Sequence, residues 1–451
     1  MTETAEPQKK KGLMPAALRN RNFSRLFFAG VASASGFAIG QVALTVLVYT
    51  NTHSALDVAY IGVSFIVATI LFSLVAGTLV DRHERRKLMV LSDLARAASL
   101  VALVVSLLLV GFNLIMVLAV AFVLGSFTTL FQPAERALTP AVVGSEQLQN
   151  ANALVQSTNS VVQFASNAAG GVLIVALGVT VAFALNTSTF IVSALLIVKI
   201  VGFSVPKREG PVGKAARPSI LDDAREGFRY IVRNRALLEL TVSSGLANLF
   251  LVMVFQFYVV YAYDVLHGDA TVYALLNGLF LLGVAPGAYV SARFNTVRFA
   301  GWVFIGSGVA EGVVALGLVA LPYLASSLVI VLTLGFFLGL LNTTWLNTVQ
   351  LVVPTEMQGR YFGLDQLGST AVIPVGQILG GVLISVSGIL TDYTVAGVGI
   401  ILAIGLFVFS PYLRNLRWTG KTGKQSAGGG TLARPVEGQD SNPRVPLETQ
   451  A

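Results

Sequence analysis

The strongest constraint on this chain is the stretch Gly77-Thr-Leu-Val-Asp81-Arg82-His83-Glu84-Arg85-Arg86-Lys87. It is an unbroken run of charged or titratable side chains from Asp81 onward, set between two long apolar segments. Such a run has to be a turn in water. The segment before it, Val58 to Val80, holds 23 residues without a charge. As a helix rising about 1.5 Å per residue it measures roughly 34 Å, enough to cross a bilayer core of about 30 Å. The segment after it, Leu88 to Val110, is again almost wholly apolar. Two spanning helices therefore meet at a short basic connection, and clustered Arg and Lys in a short loop mark the cytoplasmic side.

Composition agrees: 55% of the 451 residues are hydrophobic and 12% charged, against about 25% charged in soluble domains. The expected fold is an all-α polytopic membrane protein. Twelve spans are predicted, at Phe23 to Tyr49, Val58 to Val80, Leu88 to Val110, Leu114 to Phe131, Ala151 to Leu177 and Thr180 to Val201, then Leu237 to Tyr263, Val272 to Ala292, Phe299 to Ala320, Leu324 to Val349, Tyr361 to Val386 and Tyr393 to Leu413. Loops near 51–57, 111–113, 177–180, 264–271, 321–323 and 387–392 contain no Lys or Arg. All thirty basic residues lie in the tails, in the other loops or close to that side. The positive-inside rule then puts both termini in the cytoplasm of a multi-pass protein of the cell membrane. Given the polar start, Met1 to Arg21 with Lys9 to Lys11, no cleaved signal is expected.

The expected organisation is a tail at 1–22, a six-helix bundle at 23–201, a linker at 202–236, a second bundle at 237–413 and a disordered tail at 414–451. Pro206, Pro211 and Pro218 break the linker before an amphipathic helix. In that helix Ile220, Leu221, Ala224, Phe228, Ile231 and Val232 recur at helical spacing, as for a helix lying on the lipid surface. The halves repeat each other, which makes the bundles pseudo-symmetric. Gly170-Gly-Val-Leu-Ile174 recurs as Gly380-Gly-Val-Leu-Ile384, and Gly77 as Gly287, at one offset of 210; Arg19-Asn-Arg21 recurs as Arg233-Asn-Arg235 at 214. Duplicated halves around a midplane site are the architecture of alternating access.

The basic turn resembles the loop between helices 2 and 3 of major facilitator superfamily transporters, which reads Gly-x-Leu-x-Asp-Arg-x-Gly-Arg-Arg/Lys. Gly77, Leu79, Asp81, Arg82, Arg85 and Arg86 fall on it, and Glu84 replaces its second Gly. A second basic turn, Phe131 to Pro140 with Glu135 and Arg136, follows the fourth span, and its counterpart, Gln350 to Arg360, follows the tenth. With the Arg19-Asn-Arg21-Asn-Phe23 opening, these resemble the macrolide-efflux and siderophore-export branch of drug:proton antiporters. The resemblance implies a conformational gate at Gly77, Asp81, Arg82, Arg85, Arg86, Glu135, Arg136 and Arg360, with Asp81, Arg82 and Arg86 latching the cytoplasmic side. Antiporters of the superfamily often carry Pro where Asn167 stands here. It also implies a substrate cavity whose polar content is mostly neutral: Gln41, Thr45, Ser126, Asn159, Gln163, Asn167, Asn248, Gln256, Asn277, Asn342, Trp345 and Gln377. Each amide reads equally well as an interhelical hydrogen bond. Abundant aromatic residues, among them Phe37, Phe255, Phe257, Tyr258 and Tyr261, suit bulky amphipathic solutes.

Charges at membrane depth are costly and usually functional. Glu311, in the middle of the ninth span and without a basic partner nearby in sequence, is a candidate proton carrier, as is Asp365 near a cytoplasmic end. Asp93 and Arg96 pair three residues apart on the third span, which the family places at the periphery, away from substrate. No phosphate-binding loop, catalytic constellation or metal-ligand cluster is present, and His53, His83 and His267 are widely separated. Neither an enzyme, nor a metal site, nor a cofactor is expected, and the distributed basic charge does not form a nucleic-acid face. The chain reads as a monomeric secondary transporter in the lipid bilayer, exchanging a small-molecule substrate for protons. Metabolite uptake by symport and a transport-dead sensor or lipid-handling protein are the alternatives.

Overall fold

The computed structural model describes residues 16–144, 147–201, 228–293 and 300–411. Among these residues there is no strand, and twelve helices are long and apolar enough to span a bilayer. The first six are α1 (Arg21–Thr52), α2 (Ala55–Arg82), α3 (Arg85–Leu109), α4 (Leu114–Val143), α5 (Leu148–Leu177) and α6 (Val179–Val198). The second six are α7 (Arg235–Gln256), α8 (Ala270–Arg293), α9 (Ala300–Ala320), α10 (Leu324–Val352), α11 (Thr355–Ser387) and α12 (Ile389–Gly405). All twelve predicted spans reappear. Of the predicted linker helix only 228–233 is described, and it is helical. There Ile231 packs against Leu237, Val349, Val353 and Tyr361 of the second bundle. The rest of that helix and the tail at 414–451 lie outside the described residues.

Polar residues set the helix starts. Asn20 caps α1 by accepting from the N–H groups of Asn22 and Phe23, and Ser54, Asn113 and Asn234 cap α2, α4 and α7 in the same way, satisfying donors that have no partner within the helix. One expectation is corrected. The stretch Phe131 to Pro140 is not a turn, because α4 continues through Pro133 and Pro140 to Val143. Proline removes backbone donors, and a helix survives this where other groups satisfy the freed carbonyls. Arg85 braces this helical turn from outside, donating at 2.9 Å to the carbonyl of Ala137, next to the Arg136 carbonyl that Pro140 leaves without its helical donor.

The two bundles share one packing plan. α1 packs on α5 and α6, α2 on α4, and α3 on α4 and α6; likewise α7 packs on α11 and α12, α8 on α10, and α9 on α10 and α12. The bundles meet through another symmetric pair, α5 on α8 and α2 on α11. The repeated Gly-Gly dipeptides explain how. Gly170 packs on Ile39 of α1, in its own bundle, while Gly171 faces Ala270 and Ala274 of α8, across the interface. Correspondingly, Gly380 packs on Met253 and Phe257, in its own bundle, and Gly381 faces Leu56 and Ala59 of α2. Small residues at such points let helices approach where lipid supplies no hydrophobic drive. The single residues joining α5 to α6 and α11 to α12, Gly178 and Gly388, have φ of 84° and 82°, a left-handed conformation that glycine adopts without steric cost.

Among the described residues the bundles share an apolar core at one end only. The largest apolar cluster mixes residues of both, from Ile39 and Val58 to Met253 and Ala274, toward the loops that lack Lys and Arg. Toward the basic loops the core divides. One cluster there draws only on the first bundle, including Phe23 and Leu138, and two others only on the second.

Candidate functional site

A cavity of about 590 Å³ lies in the basic half of the first bundle, lined by residues of α1, α3, α4 and α5. α1 contributes Phe27, Ser33 and Phe37, α4 contributes Thr128, Phe131, Gln132, Glu135 and Arg136, and α5 contributes Asn152, Gln156, Asn159 and Gln163. Its wall is therefore aromatic and amide-rich, which suits a solute with one apolar and one polar face. Gly30 makes room for the Glu135 carboxylate, since a β-carbon there would lie 2.6 Å from Oε1.

Arg96 also lines this cavity, so placing it at the periphery on the strength of its helix number was mistaken. α3 turns this residue inward, between α4 and α6. Its guanidinium is sandwiched between the Phe131 ring at 4.7 Å and the Phe190 ring at 4.5 Å and donates to Asp93 Oδ1 at 2.5 Å. Ser33 of α1 donates to the same oxygen at 3.3 Å. Asp93 is 0% and Arg96 1% exposed. Two full charges are thus held in an apolar bundle by each other, by two ring faces and by one hydroxyl, an arrangement that needs good geometry to offset desolvation. The sequence signal was an acid and a base three residues apart at membrane depth.

The other predicted cavity residues fall into several groups. Asn159 and Gln163 line the cavity. Asn167, whose amide also donates to the Gln163 carbonyl, accepts from Asn277 of the opposite bundle at 3.1 Å. Gln377, 210 residues after Asn167, donates to Gln256 at 3.1 Å, and Gln256 donates to the Val58 carbonyl of α2 at 3.2 Å. These four amides therefore tie the bundles together rather than line the cavity. Ser126 donates to Phe122 of its own helix, and Trp345 packs on Phe362 at 6.0 Å. Thr45 is buried beside Tyr273, Gln41 and Asn248 are half-buried, and Asn342 is exposed. A further tie, missed from the sequence, is the bond from the Tyr49 hydroxyl to Asp264 at 2.6 Å. Every hydrogen bond between the bundles among the described residues lies toward the Lys/Arg-free end.

At the basic end, Arg86 donates to the Ile200 carbonyl at 2.8 Å and Asn22 to the Val201 carbonyl at 2.6 Å, while Arg25 donates to the Lys199 carbonyl. These donors satisfy carbonyls just beyond the C-terminus of α6, where cations are favoured. Arg86 and Lys87 also pair with Glu84 at 3.1 and 3.0 Å, and Lys87 holds the Glu84 carboxyl below its ordinary range. Arg82 and Arg136 are exposed. The side chains of Asp81 and Arg360 lie outside the described residues. Gly77 makes no close helix contact among the described residues, none of which lies within 4 Å of a β-carbon built there; its counterpart Gly287 does, against Phe336 of α10. Glu311 and Asp365 are buried in the second bundle, away from the cavity lining.

Residues 26–376 match the family model described as Major Facilitator Superfamily. The multidrug efflux pump Tap of Mycolicibacterium fortuitum is 27% identical over 407 residues, covering 87% of this chain and 96% of that protein. Macrolide efflux protein A of Streptococcus pyogenes is 21% identical over 391 residues, covering 84% and 93%. A bacterial homologue of the iron transporter ferroportin, solved in an inward-facing state, superposes with a TM-score of 0.67 at 17% identity, covering 86% of this chain and 98% of that one.

Proposed function

Since this chain belongs to the Major Facilitator Superfamily and is a multi-pass membrane transporter rather than an enzyme, we propose that it exports small amphipathic compounds in exchange for protons, by alternating access. The observation that carries the reading is the 590 Å³ cavity, with its three phenylalanines, its row of neutral amides and the buried Asp93–Arg96 pair in its wall. With the basic loops and both termini in the cytoplasm of the cell membrane, the cavity opens inward and the polar ties between the bundles close the outer end. Rocking of the bundles, with those ties parting as the outer end opens, exposes the cavity alternately to the two sides. Glu311 and Asp365 are the proposed proton carriers. Asp81, Arg82 and Arg86, with Gly77, Arg85, Glu135, Arg136 and Arg360, form the gate that holds the basic end shut in the outward-open state. The transporter works as a monomer with bundles at 23–201 and 237–413, and its partners are the solute, protons and lipid.

The names of the efflux-pump relatives support the direction of transport. The test is purified protein in proteoliposomes carrying a panel of cationic, neutral and anionic lipophilic dyes. Dye accumulation driven by an imposed pH gradient, slowed several-fold by Asp81→Asn without loss of folded protein, is expected. If no dye moves, or if movement ignores the gradient, the reading fails.

A further inference from the structure

The second bundle holds a group of polar atoms that the cavity does not use. Tyr258, Glu311, Asp392 and Tyr393 are 0 to 1% exposed. The Tyr258 and Tyr393 hydroxyls, Glu311 Oε1 and both Asp392 carboxylate oxygens are buried without a hydrogen-bond partner in the protein. Buried polar groups are nearly always partnered, so five such atoms together require an explanation. They lie within electrostatic reach of one another. Glu311 is the charged neighbour of Tyr258, and Tyr393 has Tyr258, Tyr261 and Asp392 around its hydroxyl. Tyr261 frames the group: its ring lies 5.3 Å from that of Tyr393, and its hydroxyl is engaged by the Leu318 carbonyl at 2.8 Å and by Ser327 at 3.0 Å.

The backbone marks the same place. α1 is one continuous helix, but its pseudo-symmetric partner α7 ends at Gln256 and resumes as a short turn at Tyr258–Val260 and a π-helical turn at Tyr261–Val265. Departures from α-helix of this kind collect at functional sites, and this one presents Tyr258 and Tyr261 to the group. Asp392 sits in the first turn of α12, at the Lys/Arg-free end, whereas Glu311 is halfway along α9. No cation faces them among the described residues. α10 carries no charged residue, and the only charged residue of α12 is Asp392 itself. The charged residues of α7, Arg235 and Glu239, lie at its opposite end, as does Arg293 of α8. α11 contributes Gly380, where a β-carbon would lie 3.2 Å from Asp392 Oδ1.

We propose that Asp392, Tyr393, Tyr258 and Glu311 form a proton relay inside the second bundle, leading from the Lys/Arg-free end to the middle of α9. The proposal rests on the proton-coupled reading above and gives Glu311 its route to the outer side. A metal ion would need several oxygens converging on one point, and the described residues contain no group of three acidic or metal-ligating side chains suited to one. Carboxyls and hydroxyls in series are instead the chemistry of proton hopping, since a tyrosine hydroxyl both donates and accepts. Since none of these oxygens is hydrogen-bonded to another, each transfer runs through a water held between them: a proton taken up by Asp392 passes toward the Tyr393 oxygen as Tyr393 releases its own toward Tyr258. Tyr258 in turn releases its proton, again through water, to the Glu311 carboxylate. Each tyrosine ends with the proton count it began with, and one proton has moved inward.

The test uses proteoliposomes of the full chain with a trapped pH-sensitive dye and, as substrate, the panel dye that the parent moves fastest. Tyr258→Phe and Tyr393→Phe keep the ring and remove one buried hydroxyl. If the hydroxyls only fill space, their removal leaves transport unchanged. The relay requires that both variants cut substrate-evoked proton movement at least tenfold while dye counterflow, which needs no net proton transfer, stays within twofold of the parent. Parent-level proton movement in both variants overturns the relay and leaves coupling intact. Loss of counterflow together with proton movement also overturns it, placing the tyrosines on the solute path. If the parent shows dye transport but no proton movement, the coupled reading falls and the relay with it.

Discussion

Replacing Asp93 by Asn tests whether the buried pair in the cavity wall is held as described. The substitution keeps the shape and lets Ser33 go on donating to a side-chain oxygen, but it leaves Arg96 as a buried cation without its 2.5 Å partner. Removing one member of a buried ion pair costs about 3 to 5 kcal/mol. Two desolvated ring faces at 4.5 and 4.7 Å remain, each contributing up to about 2 kcal/mol, and Glu135 stays within electrostatic reach of the guanidinium. The expected loss is therefore at the low end, about 3 kcal/mol. Asp93→Asn combined with Arg96→Met removes both charges at similar volume, and replacement of a buried pair by apolar groups is often neutral. The double variant should thus recover about 2 to 3 kcal/mol of that loss, a coupling well above the error of additive behaviour. Thermal unfolding of the purified proteins in detergent reads the difference. Asp93→Asn unfolding at the parent's temperature, or no recovery in the double variant, would falsify the account of the pair.

Tyr49→Phe removes the 2.6 Å bond to Asp264. Hydrogen bonds to charged acceptors contribute about 1.5 to 3 kcal/mol, so the population with its Lys/Arg-free end closed should fall roughly tenfold or more relative to the opposite state. Distances between spin labels on that end would lengthen, and an unchanged distribution counts against the tie. Gly171→Leu places a β-carbon 2.5 Å from Ala274 Cβ and 2.6 Å from the Ala270 carbonyl, so the same labels should report loss of the closed state, with Gly381→Leu acting in the same direction. Parent-like distances in both would mean that the glycine contacts do not set the closure.

The twelve spans, the duplicated halves and the sorting of loops by charge were legible because length, apolar runs and Lys/Arg placement act along the chain. Which face of a helix meets which neighbour was much less so. In lipid, an apolar side chain gains little by facing protein rather than acyl chains, so apolar residues do not mark the inner face of a helix; on α3 it is the polar residues that do, since Ser92, Asp93 and Arg96 share one face and all three are buried. The amides show the same limit. Asn159 and Asn167 sit two turns apart on α5, yet the first lines the cavity and the second bridges to Asn277, a distinction made by the register of α8. The Gly-Gly repeat did carry information, because its two positions recur at one offset and each pair serves one packing purpose.

Those glycines have a mechanical consequence. If α5 is a rigid rod pivoting where Gly171 touches α8, its arm toward Leu148 is about 34 Å long and its arm toward Leu177 only about 9 Å. A rotation of about 15°, the size of a familiar subunit rotation, sweeps the long arm through roughly 9 Å and the short arm through roughly 2 Å. The long arm alone moves far enough to admit or shut out a solute. Release at the other end therefore requires the pivot itself to move: the Gly171 and Gly381 contacts must part, and new ones must form nearer the basic end. The two access states are then related by exchanging one fulcrum for another, and the Gly171 and Gly381 contacts exist in only one of them.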